Sequence, residues 1–435
     1  MTQTAADPSA RARAWPVIAW ASWDWGSAAF NAVMTTFVFT AFYLVSDTFG
    51  GVDYASTVLG WSLSGAGVLI ALLAPVIGQR SDRGGRRRLW LGINTAAVVV
   101  LTASCFFVLP NPAFLLLGCL LLAGGNIFLE LATVNYNAML LQISTPQTIG
   151  KVSGIGWASG YLGGIVLLVA LYFGMLAPGV EFFGLDENTR YRVVALVSAA
   201  WIAVFSLPVL FAIPEKPADP VKPVTGVLAS YRELFQTIGR LWRESRQTLY
   251  FLVSSAVFRD GLAAIFTFGA VIAVGTFGFA RGDVLIFAIA GNVVAAAGAF
   301  AAGYFDDRLG PKTVIVTSLI GLIVSGVVLF FAPVLIPESA KSLFWVFGLA
   351  LCLFVGPAQS SARTFLGRLA PEGKAGELYG LYATTGRGAS FIAPLLFASF
   401  IAWFGGQRWG ILGIIIVLVA GIALLLPVRA PSHSR

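Results

Sequence analysis

Gly78-Gln79-Arg80-Ser81-Asp82-Arg83-Gly84-Gly85-Arg86-Arg87-Arg88 and Gly303-Tyr304-Phe305-Asp306-Asp307-Arg308-Leu309-Gly310-Pro311-Lys312 are one pattern written twice. At one constant offset Gly78, Asp82, Arg83, Gly85 and Arg87 fall on Gly303, Asp307, Arg308, Gly310 and Lys312. A self-similarity of this kind implies two parallel structural halves. Glycine permits a tight turn between neighbouring elements. Aspartate can accept hydrogen bonds at a helix N-terminus, and arginine can pair with carboxylates or lipid phosphates. Plain topological charge would not require an Asp-Arg pair at the same place twice.

Outward from these loops the chain is almost continuously apolar. Its 435 residues are 58% hydrophobic and 11% charged, a balance unsuited to a water-soluble domain of this length. Segments near the length needed to cross a bilayer, about 20 residues, run over 16–45, 55–79, 89–109, 113–141, 152–175, 191–213, 247–277, 283–304, 313–333, 342–366, 377–402 and 409–428. The first residues lack the apolar core and cleavage site of a signal peptide, so the run after them is kept as a span. The expected fold is therefore all-α, with twelve transmembrane helices in two parallel six-helix halves. Cys105, Cys119 and Cys352 all lie inside apolar runs and read as small core residues.

Basic residues set the orientation. With both termini in the cytoplasm, the clusters Arg86 to Arg88, Arg240 to Arg246, Arg308, Lys312 and Arg368 lie inside, and only Arg190, Arg192, Arg281, Lys341 and Arg408 lie outside. The formal charge of +8 is thus distributed by membrane side, and nucleic-acid binding is not expected. The halves are drawn at 1–213 and 247–435. Between them, 214–246 opens with Pro214, Pro217, Pro220 and Pro223, which cannot be helical throughout. Leu228, Tyr231, Leu234, Phe235, Ile238, Leu241 and Trp242 then recur at helical spacing against Arg232, Glu233, Gln236, Arg240 and Arg243. This predicts an amphipathic helix on the cytoplasmic membrane surface, or alternatively a short helix resting on the loops.

The repeated loop resembles the signature of the major facilitator superfamily. The opening Trp23-Asp24-Trp25-Gly26-Ser27-Ala28-Ala29-Phe30 is similar to the "YDWANSAF" opening of its vacuole-effluxer-like branch, with Gly26 for the usual Ala and Ser27 for the usual Asn. Gly356-Pro357-Ala358-Gln359-Ser360-Ser361-Ala362-Arg363 and Gly380-Leu381-Tyr382-Ala383-Thr384-Thr385-Gly386-Arg387-Gly388 are similar to that branch too. The resemblance implies gating by Gly78, Asp82, Arg83, Gly303, Asp307 and Arg308, and amino-acid export, as in fungal members.

Ionisable groups inside spans cost about 2.5 to 3.5 kcal/mol on insertion scales and so face a cavity or a partner. Asp24, Glu130, Arg259, Asp260, Arg363 and Arg387 are such groups. At about 1.5 Å per residue, Asp24, Glu130 and Arg387 lie on the order of 12 to 18 Å deep, with Arg259 and Asp260 slightly deeper. Asp24, Ser27, Asn31 and Thr35 share one stripe of a helix, and Asn126, Glu130, Thr133 and Asn137 another. The expected substrate-binding set is Asp24, Asn31, Asn126, Glu130, Arg259, Gln359, Arg363, Tyr382 and Arg387, against the alternative of structural ion pairs. His433, the one histidine, lies in the tail, so proton coupling would fall to Asp24, Glu130 or Asp260.

These residues point to a proton-coupled exporter of a small polar solute, an amino acid or related carboxylate, acting by alternating access in the plasma (inner) membrane as a monomer. Membrane arginines suit a carboxylate. A multidrug or cation exporter is the alternative, followed by a polytopic membrane enzyme or a non-transporting sensor. No catalytic set, metal cluster or cofactor motif is present in the sequence, and no cofactor is expected.

Overall fold

The computed structural model describes residues 8–177, 180, 182–215, 227–370 and 374–429. Three of the linker prolines and His433 lie outside the described residues. Among those described, twelve helices are long and apolar enough to cross a membrane, one for each expected span.

The chain divides into two compact units. The first holds α1 (Pro8–Ala29), α2 (Val52–Gly84), α3 (Arg87–Ser104), α4 (Leu115–Ile143), the later part of α5 (Ile149–Leu171) and α6 (Glu187–Ala212). The second holds α7 (Val227–Glu244), α8 (Arg246–Phe277), α9 (Arg281–Leu309), α10 (Pro311–Leu335), α11 (Ala340–Leu369), α12 (Ala375–Ala389), α13 (Ile392–Phe404) and α14 (Arg408–Leu425). Residues 144–158, with the start of α5, also group with the second unit, although a division at 213 assigns them to the first half.

Close approach through small residues builds each unit, because apolar burial alone does not drive helices together in lipid. A Cβ on Gly26 would stand 2.8 Å from Phe205 Cβ on α6, which gives the departure from alanine at this position a packing reason. A Cβ on Gly356 of α11 would meet Ala295 O of α9 at 2.5 Å. In the repeated loops the turn falls on Gly85 (φ 61°) and Gly310 (φ 85°), where a side chain would be strained. Gly78 and Gly303, counted among the gating residues, lie inside α2 and α9.

Two spans depart from a regular helix. After α1, span 1 continues as π-helical Phe30–Phe37 and Phe39–Leu44, with a break at Val38. On this span Asp24 is half-buried and Asn31, at the second residue of the π-helical stretch, is exposed. Span 11 is discontinuous, α12 ending at Ala389 and α13 starting at Ile392. Pro394 clashes with a helical carbonyl at Ser390 and donates no N–H, and Gly386 and Gly388 weaken the turn before it.

In the linker helix, Ser230, Leu234, Thr237 and Leu241 form the buried edge. Phe235 and Trp242 stand 70% and 51% exposed, so an apolar edge is left free for a further surface.

Candidate functional site

In the second unit the chemistry gathers where α8 meets the broken span. Arg259 lies 13 residues after Arg246, the first residue of α8. Its guanidinium carbon sits 3.8 Å from the Tyr382 ring centroid, and Nη1 donates to Tyr382 O at 3.3 Å. Gly386 supplies the space, since a Cβ there would be 3.2 Å from Arg259 Nη1. Among the described residues no carboxylate lies within ion-pair distance of Arg259. A half-buried guanidinium over an aromatic face with donors to spare has the chemistry to receive an anion.

The next residue does the opposite work. Asp260 is buried, and its Oδ2 accepts from Ala393 N at 2.6 Å. The carboxylate thus caps α13, satisfying a backbone donor that the helix itself leaves open and countering its positive end. Neighbours on one helix point roughly 100° apart, so Arg259 holds α12 while Asp260 holds α13.

Arg363 is not open to a ligand. It is 4% exposed, and its Nε and Nη2 donate to Ser153 Oγ at 3.0 Å and Ser153 O at 2.6 Å. Trp157 lies 5.6 Å beneath the guanidinium carbon. The expectation of substrate binding is therefore replaced by a brace between α11 and the start of α5, as a buried arginine with carbonyl and hydroxyl acceptors requires. Tyr379 OH donates to Arg363 O at 2.9 Å and extends the brace to α12. Gln359 and Arg387 are half-buried on α11 and α12.

In the first unit Asp24 Oδ2 accepts from Tyr136 OH at 2.7 Å. Tyr136 is clamped between Trp20, 4.3 Å away and parallel to it, and Trp23, at 4.4 Å. Trp20 Nε1 donates to Tyr136 O and Trp23 Nε1 to Thr95 Oγ1, each at 3.0 Å. Both indoles are thereby satisfied and fixed, and the phenol they hold donates to Asp24. Asn126 and Glu130 are half-buried one turn apart on α4, and Thr133 of the same stripe turns back to Leu129 O at 2.9 Å.

The aspartates of both repeated loops are ion-paired. Asp82 pairs with buried Arg87, which also donates to Ala138 O at 3.3 Å. Asp307 pairs with Arg368 at 3.1 Å and accepts from Gly150 N and Lys151 N, each at 2.9 Å, at the start of α5. Arg308 is exposed and stacks on Tyr304 of its own helix at 3.9 Å, outside this pair. Arg83 is half-buried in the last turn of α2. Lys312, the counterpart of Arg87, donates to Leu426 O and Val428 O at the end of α14. Glu215, just after α6, accepts from Arg88 N and Leu89 N and caps α3.

Residues 141–435 match the family profile described as vacuole effluxer Atg22 like. The chain is 26% identical to the MFS-type transporter YxiO of Bacillus subtilis, over 93% of both proteins. It is 23% identical to Autophagy-related protein 22 of Botryotinia fuckeliana, over 64% of this chain and 49% of that one, so the match spans about half of the fungal protein. The fold matches that of the proton:xylose symporter XylE bound to a bromodeoxyglucose, with a TM-score of 0.75 at 12% identity over 97% and 96% of the chains. A multi-pass transporter rather than an enzyme, the chain belongs to the vacuole-effluxer-like family of the major facilitator superfamily.

Proposed function

We propose that this transporter exports a small solute bearing a carboxylate, an amino acid or close relative, by alternating access coupled to protons. The carrying observation is Arg259, a cation deep in a spanning helix that stacks on Tyr382 and has no carboxylate partner among the described residues. A charge so placed is costly without an anion, and a planar guanidinium takes a carboxylate in bidentate fashion. Tyr382 offers an aromatic wall beside it, and Arg387 and Gln359 of the same unit supply further polar contacts to the solute. A multidrug or cation exporter would have to carry its positive cargo past this uncompensated charge.

Proton coupling falls to carboxylates, with Asp24 the leading group. Its hydrogen bond from Tyr136 stabilises the ionised form and is rearranged when Asp24 takes a proton. Glu130 and Asp260 are the other candidates. The family description as effluxers supports export, and the basic loops support cytoplasmic termini and a plasma-membrane location. The protein acts as a monomer, and Asp82, Arg87, Asp307 and Arg368 lock the cytoplasmic side.

Purified protein in liposomes, offered a panel of amino acids, their amides, sugars and lipophilic cations with and without a pH gradient, tests this reading. Flux of carboxylates driven by the gradient supports it. Flux confined to cations or sugars overturns it.

A further inference from the structure

Asp306 precedes the lock residue Asp307 and has no role in the lock described above. Its side chain is 0% exposed, and neither carboxylate oxygen has a hydrogen-bond partner among the described residues. An ionised carboxylate in that condition is among the most expensive groups a protein can hold, and it ordinarily neutralises instead. Ser361 and Thr364 of α11 flank it. Ser361 Oγ is likewise buried without a partner, and Thr364 donates to Ser360 O at 3.2 Å.

Of the surrounding cations only Arg368 acts on Asp306, and it is shared with Asp307. On α9, Asp307 is a second carboxylate and Arg308 is exposed on Tyr304. On α11, Arg368 is paired with Asp307, and Arg363 is spent on Ser153. On α5, the Gly150 and Lys151 amides are taken by Asp307, and the Lys151 side chain is exposed. Lys312 of α10 is held by Leu426 and Val428. On α8, Arg246 stacks on Trp242, and Arg259 and Asp260 are engaged with span 11. One guanidinium and one helix N-terminus balance one carboxylate.

What seals the site is the start of α5. Gly154 has room for no Cβ, because one would stand 2.5 Å from Ala299 O and 3.0 Å from Gly303 Cα. A Cβ on Gly150 would run into Asp306 Cβ itself, and one on Gly303 would meet Gly150 O at 2.8 Å. Gly150 and Gly154 are one turn apart on α5, as Ala299 and Gly303 are on α9, so two small-residue faces close directly over Asp306.

We propose that Asp306 is a proton-binding site, protonated while α5 is docked on α9 and ionised when the seam opens to water. Because the docked form holds the extra proton, low pH favours docking and rising pH favours opening. The proposal rests on the transport reading only for the meaning of the opening, and its test needs no substrate. Ala302, 2% exposed and one turn before Asp306 on the same face of α9, becomes the reporter as Ala302→Cys in the full-length protein in liposomes. The native cysteines are buried and give a slow background.

The maleimide labelling rate at the reporter, divided at each pH by the rate of the same cysteine in the unfolded protein so that thiolate ionisation cancels, is expected to rise by up to about tenfold per pH unit, as one linked proton dictates. Adding Asp306→Asn, which keeps the shape of the neutral acid, should leave this ratio low and flat with pH. Asp306→Ser, which installs the residue that the first half carries at Ser81, serves if the amide does not fold. Infrared pH-difference spectra should show a protonated-carboxyl band at neutral pH that either variant removes. If the variants keep the wild-type pH dependence of labelling, or if the band is absent from the wild type, Asp306 is not the site. A failure to transport carboxylates would leave these readouts unchanged.

Discussion

Asp260 Oδ2 lies 2.6 Å from Ala393 N, at the first turn of the second half of span 11, while Arg259 beside it donates to Tyr382 O in the first half. Two consecutive residues of α8 therefore fasten both pieces of a broken helix. The break falls at Ser390 and Phe391, and this pair of neighbours contacts the helix on either side of it. It also ties the proposed solute site on Arg259 to a carboxylate that can change its protonation state.

Removal of the cap tests this fastening. Asp260→Ala leaves the first N–H groups of α13 without their acceptor in a buried place, so a loss of about 1 to 2 kcal/mol is expected, as for other N-cap deletions. Asp260→Asn keeps a carbonyl acceptor and should lose less. Thermal unfolding in detergent measures both, and equal stability of the alanine variant and the wild type would remove the cap.

The two locks should respond unequally to the same substitution. Asp82→Asn leaves Arg87 buried with a weakened partner, and breaking a buried pair costs on the order of 3 to 5 kcal/mol, so stability should fall visibly. Asp307→Asn retains one oxygen for the α5 amides and is half-buried, so it should chiefly raise the accessibility of 150–154. Labelling rates and melting temperatures separate the two outcomes. An Asp307→Asn variant that melts as early as Asp82→Asn would show that its contacts are structural only.

Tyr136→Phe keeps the ring between Trp20 and Trp23 but removes the donor to Asp24. A hydrogen bond to a charged group is worth about 1.5 to 3 kcal/mol, so its loss should change how Asp24 handles a proton. The pH profile of gradient-driven flux should then move, with the fold retained. An unmoved profile would take Asp24 out of the coupling.

Most of the fold was legible because spanning helices advertise themselves by length and hydropathy, and because the Asp-Arg loop is written twice. Helical periodicity served the site less well. It placed Asn31 and Asp24 on one stripe of span 1, and it gave no sign of the π-turns that begin after Ala29. Tyr136 and Ser153 carry no charge and sit in runs of ordinary core residues, so nothing marked them as the partners of Asp24 and Arg363. Arg368 rather than Arg308 pairs with Asp307 because partner choice depends on which helix faces point inward. The break in span 11 did have a signal in Gly386, Gly388 and Pro394, which an average over a hydropathy window conceals.

The central claim is that Arg259 reads a solute carboxylate, and affinity measured on paired ligands tests it most directly. A transported amino acid and its amide should be compared on the wild type, Arg259→Lys and Arg259→Gln. Lysine keeps the charge but loses the planar fork, and glutamine loses both. The account predicts that the wild type prefers the carboxylate, that lysine narrows the preference by about tenfold or more, equivalent to about 1.4 kcal/mol, and that glutamine abolishes it while all three proteins bind the amide alike. An unchanged preference for the carboxylate in Arg259→Gln would contradict it.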